Sequence, residues 1–234
     1  MFDLSGALQA ANLRFLMDGL FVTLQISFFT IIFSIILGII LGSLRYWRIP
    51  FLSKILAVII DLIRNLPLLL IIFFAYFALP QIGWSLNVFW STVVAMTIFE
   101  AAMISEIIRG GLEALAKGQT EAGLASGLTK QQVMFDILLP QALHNTLPSM
   151  VSQLIALIKD TSLATIINLP ELTHNAKIIY GQDTGYVLPM FAVLALCYFT
   201  INFALTQFSR YLARRSGVKT MVDGQGTPIK PQAA

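Results

Sequence analysis

The chain has 234 residues, 57% of them hydrophobic and 12% charged, with a net charge of +3 at pH 7. Soluble domains carry about a quarter charged residues, so the composition excludes a soluble fold and places the chain in the membrane class. The basic residues sit between apolar runs, where they read as orientation signals rather than a nucleic-acid surface. A single cysteine, Cys197, with two distant histidines excludes a disulfide framework and a Cys/His metal cluster.

Residues 1–18 hold Asp3, Arg14 and Asp18 and lack the basic n-region and short apolar core of a secretory signal. They read as an external segment, with Ala7, Leu8, Ala11, Leu13, Phe15 and Leu16 forming an interfacial amphipathic helix. A spanning helix needs about 20 mostly apolar residues, and five stretches qualify. The first is Gly19 to Leu44, charge-free between Asp18 and Arg45. The second runs from near Ile55 to Pro80, with Asp61 and Arg64 near its start and a kink predicted at Pro67. The third runs from about Asn87 to Ile108 and contains Glu100 and Glu106. The fourth spans about Pro140 to Ile158 and the fifth about Gly185 to Ser209.

The links after spans one and three carry Arg45, Arg48, Lys54, Arg109, Lys117 and Lys130, and the tail adds Arg210, Arg214, Arg215, Lys219 and Lys230. The opposite side has only Arg14, Lys159 and Lys177. The positive-inside rule therefore predicts an external N-terminus and a cytoplasmic C-terminus. The expected organisation is an external segment at 1–18, a transmembrane domain at 19–219 with a cytoplasmic loop at about 110–139, and a flexible tail at 220–234.

The cytoplasmic loop is the most informative stretch. Thr120 is a suitable N-cap for a short helix from Glu121 to Ser126, and Gly127 suits the left-handed residue that ends one. Thr129 with Gln132 forms a capping box for the next helix, and Pro140 opens the fourth span. Ala122, Gly123, Ala125 and Ser126 are small, so a partner's backbone could approach closely. The residues alone also fit an amphipathic helix resting on lipid headgroups.

Ionisable groups inside a span mark functional sites by default. Asp61 with Arg64, and Glu106 with Arg109, are spaced i, i+3 and read as ion pairs. Glu100 lies beyond the membrane midplane and is open to three readings: a pair with Arg64, contact with a substrate's amino group, or a neutral carboxylic acid. Lys159, Asp160, Thr161 and Ser162 follow the fourth span. They read either as a capped external loop with a snorkelling lysine or as a helix start that aims free N–H groups at a carboxylate. His144 reads as an interior histidine with its polar atoms satisfied.

Glu121-Ala122-Gly123, then Gly127, then Ile137-Leu138-Leu139-Pro140 resembles the EAA loop of ABC importer permeases, with every spacing kept and Gly123 in place of the second alanine. Arg64-Asn65-Leu66-Pro67-Leu68, Phe99-Glu100-Ala101-Ala102 with Ser105 to Gly111, and Lys159 to Leu163 followed by Glu171-Leu172 are similar to elements of the polar amino acid permeases in that family. The resemblance implies an all-α membrane protein with the type I importer permease fold, in a bacterial plasma membrane. It implies that Thr120, Glu121, Ala122, Gly123, Leu124 and Gly127 form a helix that docks in an ATP-binding subunit. A second permease chain and an external amino acid-binding protein complete the expected complex, with membrane lipid around it.

Arg64, Asn65, Glu100 and Lys159 to Ser162 are the expected substrate-pathway residues, for glutamate and aspartate or for glutamine. The chain lacks G-x-x-x-x-G-K-[ST], so ATP and Mg are expected on the partner and no cofactor on this chain. The competing reading is a stand-alone proton- or ion-coupled transporter using Asp61, Glu100 and His144. No H-E-x-x-H or G-x-S-x-G pattern supports an intramembrane enzyme.

Overall fold

The computed structural model describes residues 3–215, and the tail expected at 220–234 lies outside them. Every regular element among the described residues is helical. A short helix α1 (Leu4–Ala7) leads into α2 (Ala10–Tyr46). At 1.5 Å per residue α2 is about 55 Å long, more than the roughly 30 Å of bilayer hydrocarbon requires. Residues 10–18, expected as a separate interfacial helix, are instead its first turns. No proline or glycine lies between Ala10 and Gly19, so the helix continues and keeps its backbone groups satisfied.

One face of α2 is a row of small buried residues: Thr23, Ser27, Thr30, Ser34, Gly38 and Gly42. It packs along α5 (Val88–Glu113), where a methyl on Gly38 would come within 2.6 Å of Ile104 and one on Gly42 within 2.6 Å of the Ser105 carbonyl. Without hydrophobic drive inside a bilayer, such close backbone approach is what holds spans together. Thr23 and Ser27 return their hydroxyls to the helix carbonyls of Gly19 and Thr23.

The second expected span is broken. Helix α3 (Leu52–Asn65) and the helical run Leu68–Ile82, which begins as α4 (Leu68–Phe73), meet at 104°. Leu66 is extended (φ −87°, ψ 143°), the conformation that a following proline imposes. Pro67 therefore ends the helix rather than kinking it. Four helical runs are long and apolar enough to cross a membrane: Ala10–Tyr46, Val88–Glu113, Lys130–Ile167 and Thr184–Tyr211. Taken as one span, the bent pair brings the number to five.

Asn87 caps α5, its side chain accepting from the Trp90 N–H at 2.9 Å. After α5 come α6 (Lys117–Ala125), α7 (Lys130–Gln132), a π-helical turn at Val133–Leu138, and α8 (Leu139–Asp160). A second π turn, Phe74–Ala78, stands just before Pro80 as this one stands just before Pro140. A proline lacks an N–H and clashes with the carbonyl four residues back, and a widened turn relieves both problems. Helix α8 runs without a break into a 3₁₀ segment, Thr161–Ile167, and the chain turns at Asn168 (φ 59°) and Pro170. Helix α9 (Leu172–Tyr180) and α10 (Val187–Arg215) complete the fold.

The core has three parts. Ile26, Ile72, Met96 and Leu157 are buried midway along the bundle, Ile104, Ile108, Val133 and Met134 toward the α6 end, and Leu16, Leu172, Ile179 and Met190 at the α9 end.

Candidate functional site

The loop after α5 is held as a rigid platform. Helix α6 starts at Lys117, not at Glu121, and Thr120 lies within it rather than capping it. The side chains of Gln119 and Gln141 exchange two hydrogen bonds, 3.1 and 2.8 Å, and pin the first turn of α6 to α8. At the other end the Leu128 N–H bonds the Gly123 carbonyl at 3.1 Å and the Gly127 N–H bonds the Leu124 carbonyl at 3.0 Å. Gly127 has φ +83°, so this is the glycine-terminated Schellman stop. The Thr129–Gln132 capping box is present, at 3.2 Å from the Gln132 N–H to Thr129 Oγ1 and 2.9 Å from the Thr129 N–H to Gln132 Oε1.

These constraints sort the face residues. Gly123 is buried, and a methyl there would lie 2.8 Å from Val133 Cγ2. Thr120 and Leu124 border a groove of about 110 Å³ shared with Tyr46, Trp47 and Val133. Glu121, Ala122, Ala125, Ser126 and Gly127 face outward. The structure thus brings five of the six expected coupling residues to one short helix, with Gly127 just past its end.

A charge cluster lies where α2, α3 and α5 converge. Glu106 accepts from Arg45 at 2.6 Å and from Arg109, and Arg64 stands 3.8 Å away. Arg109 also pairs with Glu113 at 2.6 Å. Arg64 lies 3.8 Å from Asp61 as well, so it sits between two carboxylates within hydrogen-bond distance of neither. The two i, i+3 pairs expected from the sequence are present. Arg45 was not foreseen, because its partner lies 61 residues away. Asn65 is exposed and bonds the Asp61 carbonyl at 2.7 Å.

Glu100 is fully buried and does not meet Arg64, which the Glu106 cluster engages instead. Its Oε2 accepts from Gln153 Nε2 on α8 at 3.0 Å, and its Oε1 has no hydrogen-bond partner. Gln153 had no signal in the sequence beyond being an amide in an apolar run.

The reading of Lys159 to Ser162 as a helix start is overturned. The Thr161 N–H bonds back to the Leu157 and Lys159 carbonyls, and Asp160 makes no capping bond. The hydroxyls of Thr161 and Ser162 bond the carbonyls of Ile158 and Lys159, each at 2.7 Å. The N–H groups are used inside a continuing helix, so none is free for an anion. The real helix start is at Glu171, marked in the sequence by Asn168 and Pro170. Its buried carboxylate accepts from the His174 N–H at 2.7 Å, the Thr173 N–H at 2.8 Å and Tyr198 Oη at 3.4 Å. Burial pushes the Glu171 carboxyl up to about 7 against these bonds.

Lys159 is exposed and opens on a groove between α8 and α10, about 420 Å³ in volume, with Tyr198, Asn202, Thr206, Gln207 and Arg210 along it. His144 is exposed on α8 rather than enclosed as expected. Among the described residues no three His, Cys, Asp or Glu side chains lie together as a metal site would need.

The family model described as "Binding-protein-dependent transport system inner membrane component" matches residues 34–218. A probable glutamine ABC transporter permease protein of Bacillus subtilis, GlnP, is 52% identical, covering 91% of this chain and 99% of its own. The glutamate/aspartate import permease protein GltK of Escherichia coli O6:H1 is 30% identical, covering 92% and 100%. A crystal structure of an amino acid ABC transporter with histidines superposes with a TM-score of 0.78 at 27% identity, covering 86% of this chain and 94% of that one. The inward-facing MetNI methionine ABC transporter gives 0.77 at 20% identity over 89% and 99%, a likeness of fold. With four membrane-crossing helical runs and a bent fifth, and this match along most of its length, the chain belongs to the inner-membrane components of binding-protein-dependent transport systems, the permease subunits of ABC importers.

Proposed function

We propose that this chain carries polar amino acids, glutamine first and glutamate or aspartate second, as the permease subunit of an ATP-driven importer. The observation that carries the reading is the 52% identity to a glutamine permease along 91% of the chain, against 30% to a glutamate/aspartate permease. A second permease chain would face this one. An ATP-binding subunit would hold ATP and Mg, and an external binding protein would deliver the amino acid. The α6 end, where Lys117, Lys130 and Arg109 gather, is cytoplasmic in this reading, with the N-terminus external and the C-terminus cytoplasmic.

The coupling step follows from the platform. The outward face, with Glu121, Ala122 and Ala125, docks in the ATPase, and Thr120, Gly123 and Leu124 seat the helix on the membrane bundle. A helix braced by the Gln119–Gln141 pair and the Gly127 stop moves as one body, so a displacement reaches the π turn through Val133, against which Gly123 packs, and α8 through Gln141. Glu106 and its arginines then hold or release α3, next to the Pro67 break. Arg64, Asn65, Glu100 and Lys159 to Ser162 remain the proposed pathway residues, Glu100 through its unpartnered oxygen and Lys159 through its charge rather than through helix N–H groups. A stand-alone proton- or ion-coupled transporter is not favoured, because the named relatives are components of ABC systems.

The test is ATP hydrolysis by the complex purified through this chain and reconstituted with its binding protein. Glutamine is expected to stimulate it most, then glutamate and aspartate. Stimulation by none of the three would overturn the substrate class. Uptake by this chain alone, driven by an ion gradient, would overturn the ABC reading.

A further inference from the structure

Helix α10 carries polar residues at four-residue intervals: Tyr198, Asn202, Thr206 and Arg210. In an α-helix that spacing puts them along one side. All four open on the groove between α8 and α10, with Lys159 on its α8 side. Asn202 gives its amide N–H to the Tyr198 carbonyl at 2.7 Å, and Thr206 its hydroxyl to the Asn202 carbonyl at 2.7 Å. The Tyr198 hydroxyl is taken up by Thr173 and Glu171, and the rest is unmet. Asn202 Oδ1 is buried at the groove's wall with no donor, and neither Lys159 nor Arg210 has an ion pair among the described residues. Polar groups left this way in contact with hydrocarbon are costly, so a stripe of them marks a face turned to water or ligand.

We propose that the α8–α10 groove is a binding surface on the translocation pathway for a zwitterionic amino acid, with Lys159 receiving the carboxylate and Asn202 Oδ1 accepting from an ammonium or side-chain amide N–H. The assignment rests on the reading of this chain as an amino acid permease and adds residues of α10 to it. A volume of about 420 Å³ lies in the range of small-molecule sites, roughly 300–1,000 Å³. The groove is open on one side, as a pathway closed by a facing permease chain would be. The stacked rings of Phe199 and Phe203, 5.5 Å apart, form its apolar wall.

The test is cysteine accessibility in the reconstituted complex. In a Cys197→Ser parent, Asn202→Cys, Thr206→Cys and, as an off-groove control, Ala204→Cys are labelled with a membrane-impermeant thiol reagent, and each is checked for assembly by its retained ATPase subunit. Labelling is expected at 202 and 206 and not at 204. With binding protein, ATP and glutamine at about ten times its half-saturating concentration, labelling should slow about tenfold, as occupancy dictates. Thr206→Cys serves if Asn202→Cys does not assemble. Labelling at 202 and 206 no faster than at 204, or labelling that glutamine, glutamate and aspartate all fail to slow, overturns the groove assignment. If the Cys197→Ser parent imports no amino acid, the proposed function itself fails, a result distinct from an importing parent whose groove is not labelled.

Discussion

Two of the carboxylates of helix α5, Glu100 and Glu106, lie six residues apart, about 9 Å along its axis, and they live in opposite surroundings. Glu106 is touched by Arg45 and Arg109 and approached by Arg64, so its charge is answered from three sides. Glu100 is more deeply buried, yet it has one amide, Gln153, and an oxygen with nothing to bond. The difference separates two tasks. An acid whose bonding is complete holds helices together, and its removal leaves uncompensated arginines. An acid with spare bonding capacity contributes little to holding the bundle and is free to receive something else.

The largest effect that would break this comparison is at the cluster. Glu106→Gln keeps the shape and removes the charge, and should lower unfolding stability in detergent by about 2–3 kcal/mol, less than for a fully enclosed pair because the site is partly open. Loss under about 0.5 kcal/mol would mean that the arginines are independently solvated.

A third acid, Glu171, extends the comparison to the far end, where burial outweighs several donated bonds and raises the carboxyl to about 7. A raised folded pKa means that the protonated form is favoured in the fold. The stabilisation is complete below the ordinary value of 4.5 and is lost as pH rises through about 7. Wild-type stability should therefore fall by about 2 kcal/mol more than that of Glu171→Gln between pH 5 and pH 7. Thermal unfolding midpoints across that window check this, and parallel curves would count against it.

Packing gives a smaller effect. Gly123→Ala gains helix propensity of about 1 kcal/mol but presses on Val133 Cγ2, a stiff β-branched side chain. Overpacking costs about 1–3 kcal/mol, so the net change should be a loss of about 1 kcal/mol. In a double-mutant cycle Val133→Ala should relieve that loss, and additive losses would remove the explanation. The smallest change is expected at Glu100. Glu100→Gln should alter stability by less than about 0.5 kcal/mol, since an amide oxygen can still accept from Gln153, while uptake falls. A stability loss equal to that of Glu106→Gln would erase the distinction between the two acids.

Much of this was legible in the sequence. Charge-free runs announced the spans, and the stops and caps of the loop, Gly127 and Thr129 with Gln132, formed where local chemistry placed them. The start of α6 was misplaced because Thr120 is a good cap by type, whereas the Gln119–Gln141 pair that fixes the first turn is a tertiary contact. Lys159 to Ser162 misled for the same reason in reverse. Thr and Ser hydroxyls can cap a helix or bond back to its carbonyls, and here they bond back. Pro67 was read as a kink and is a 104° break, because nothing in the residue itself says whether neighbouring helices hold the two halves in line. Gln153 beside Glu100 and Arg45 beside Glu106 are long-range partners that no local pattern announces.

The central claim is that this chain moves an amino acid across a membrane at the expense of ATP held elsewhere. Its most direct test is uptake of labelled glutamine into proteoliposomes containing the complex purified through this chain, with binding protein outside and ATP inside. The account predicts uptake that requires ATP and the binding protein together and stops when the ATPase subunit is left out. Uptake that continues without the ATPase, or ATP-dependent uptake of no polar amino acid, would contradict it.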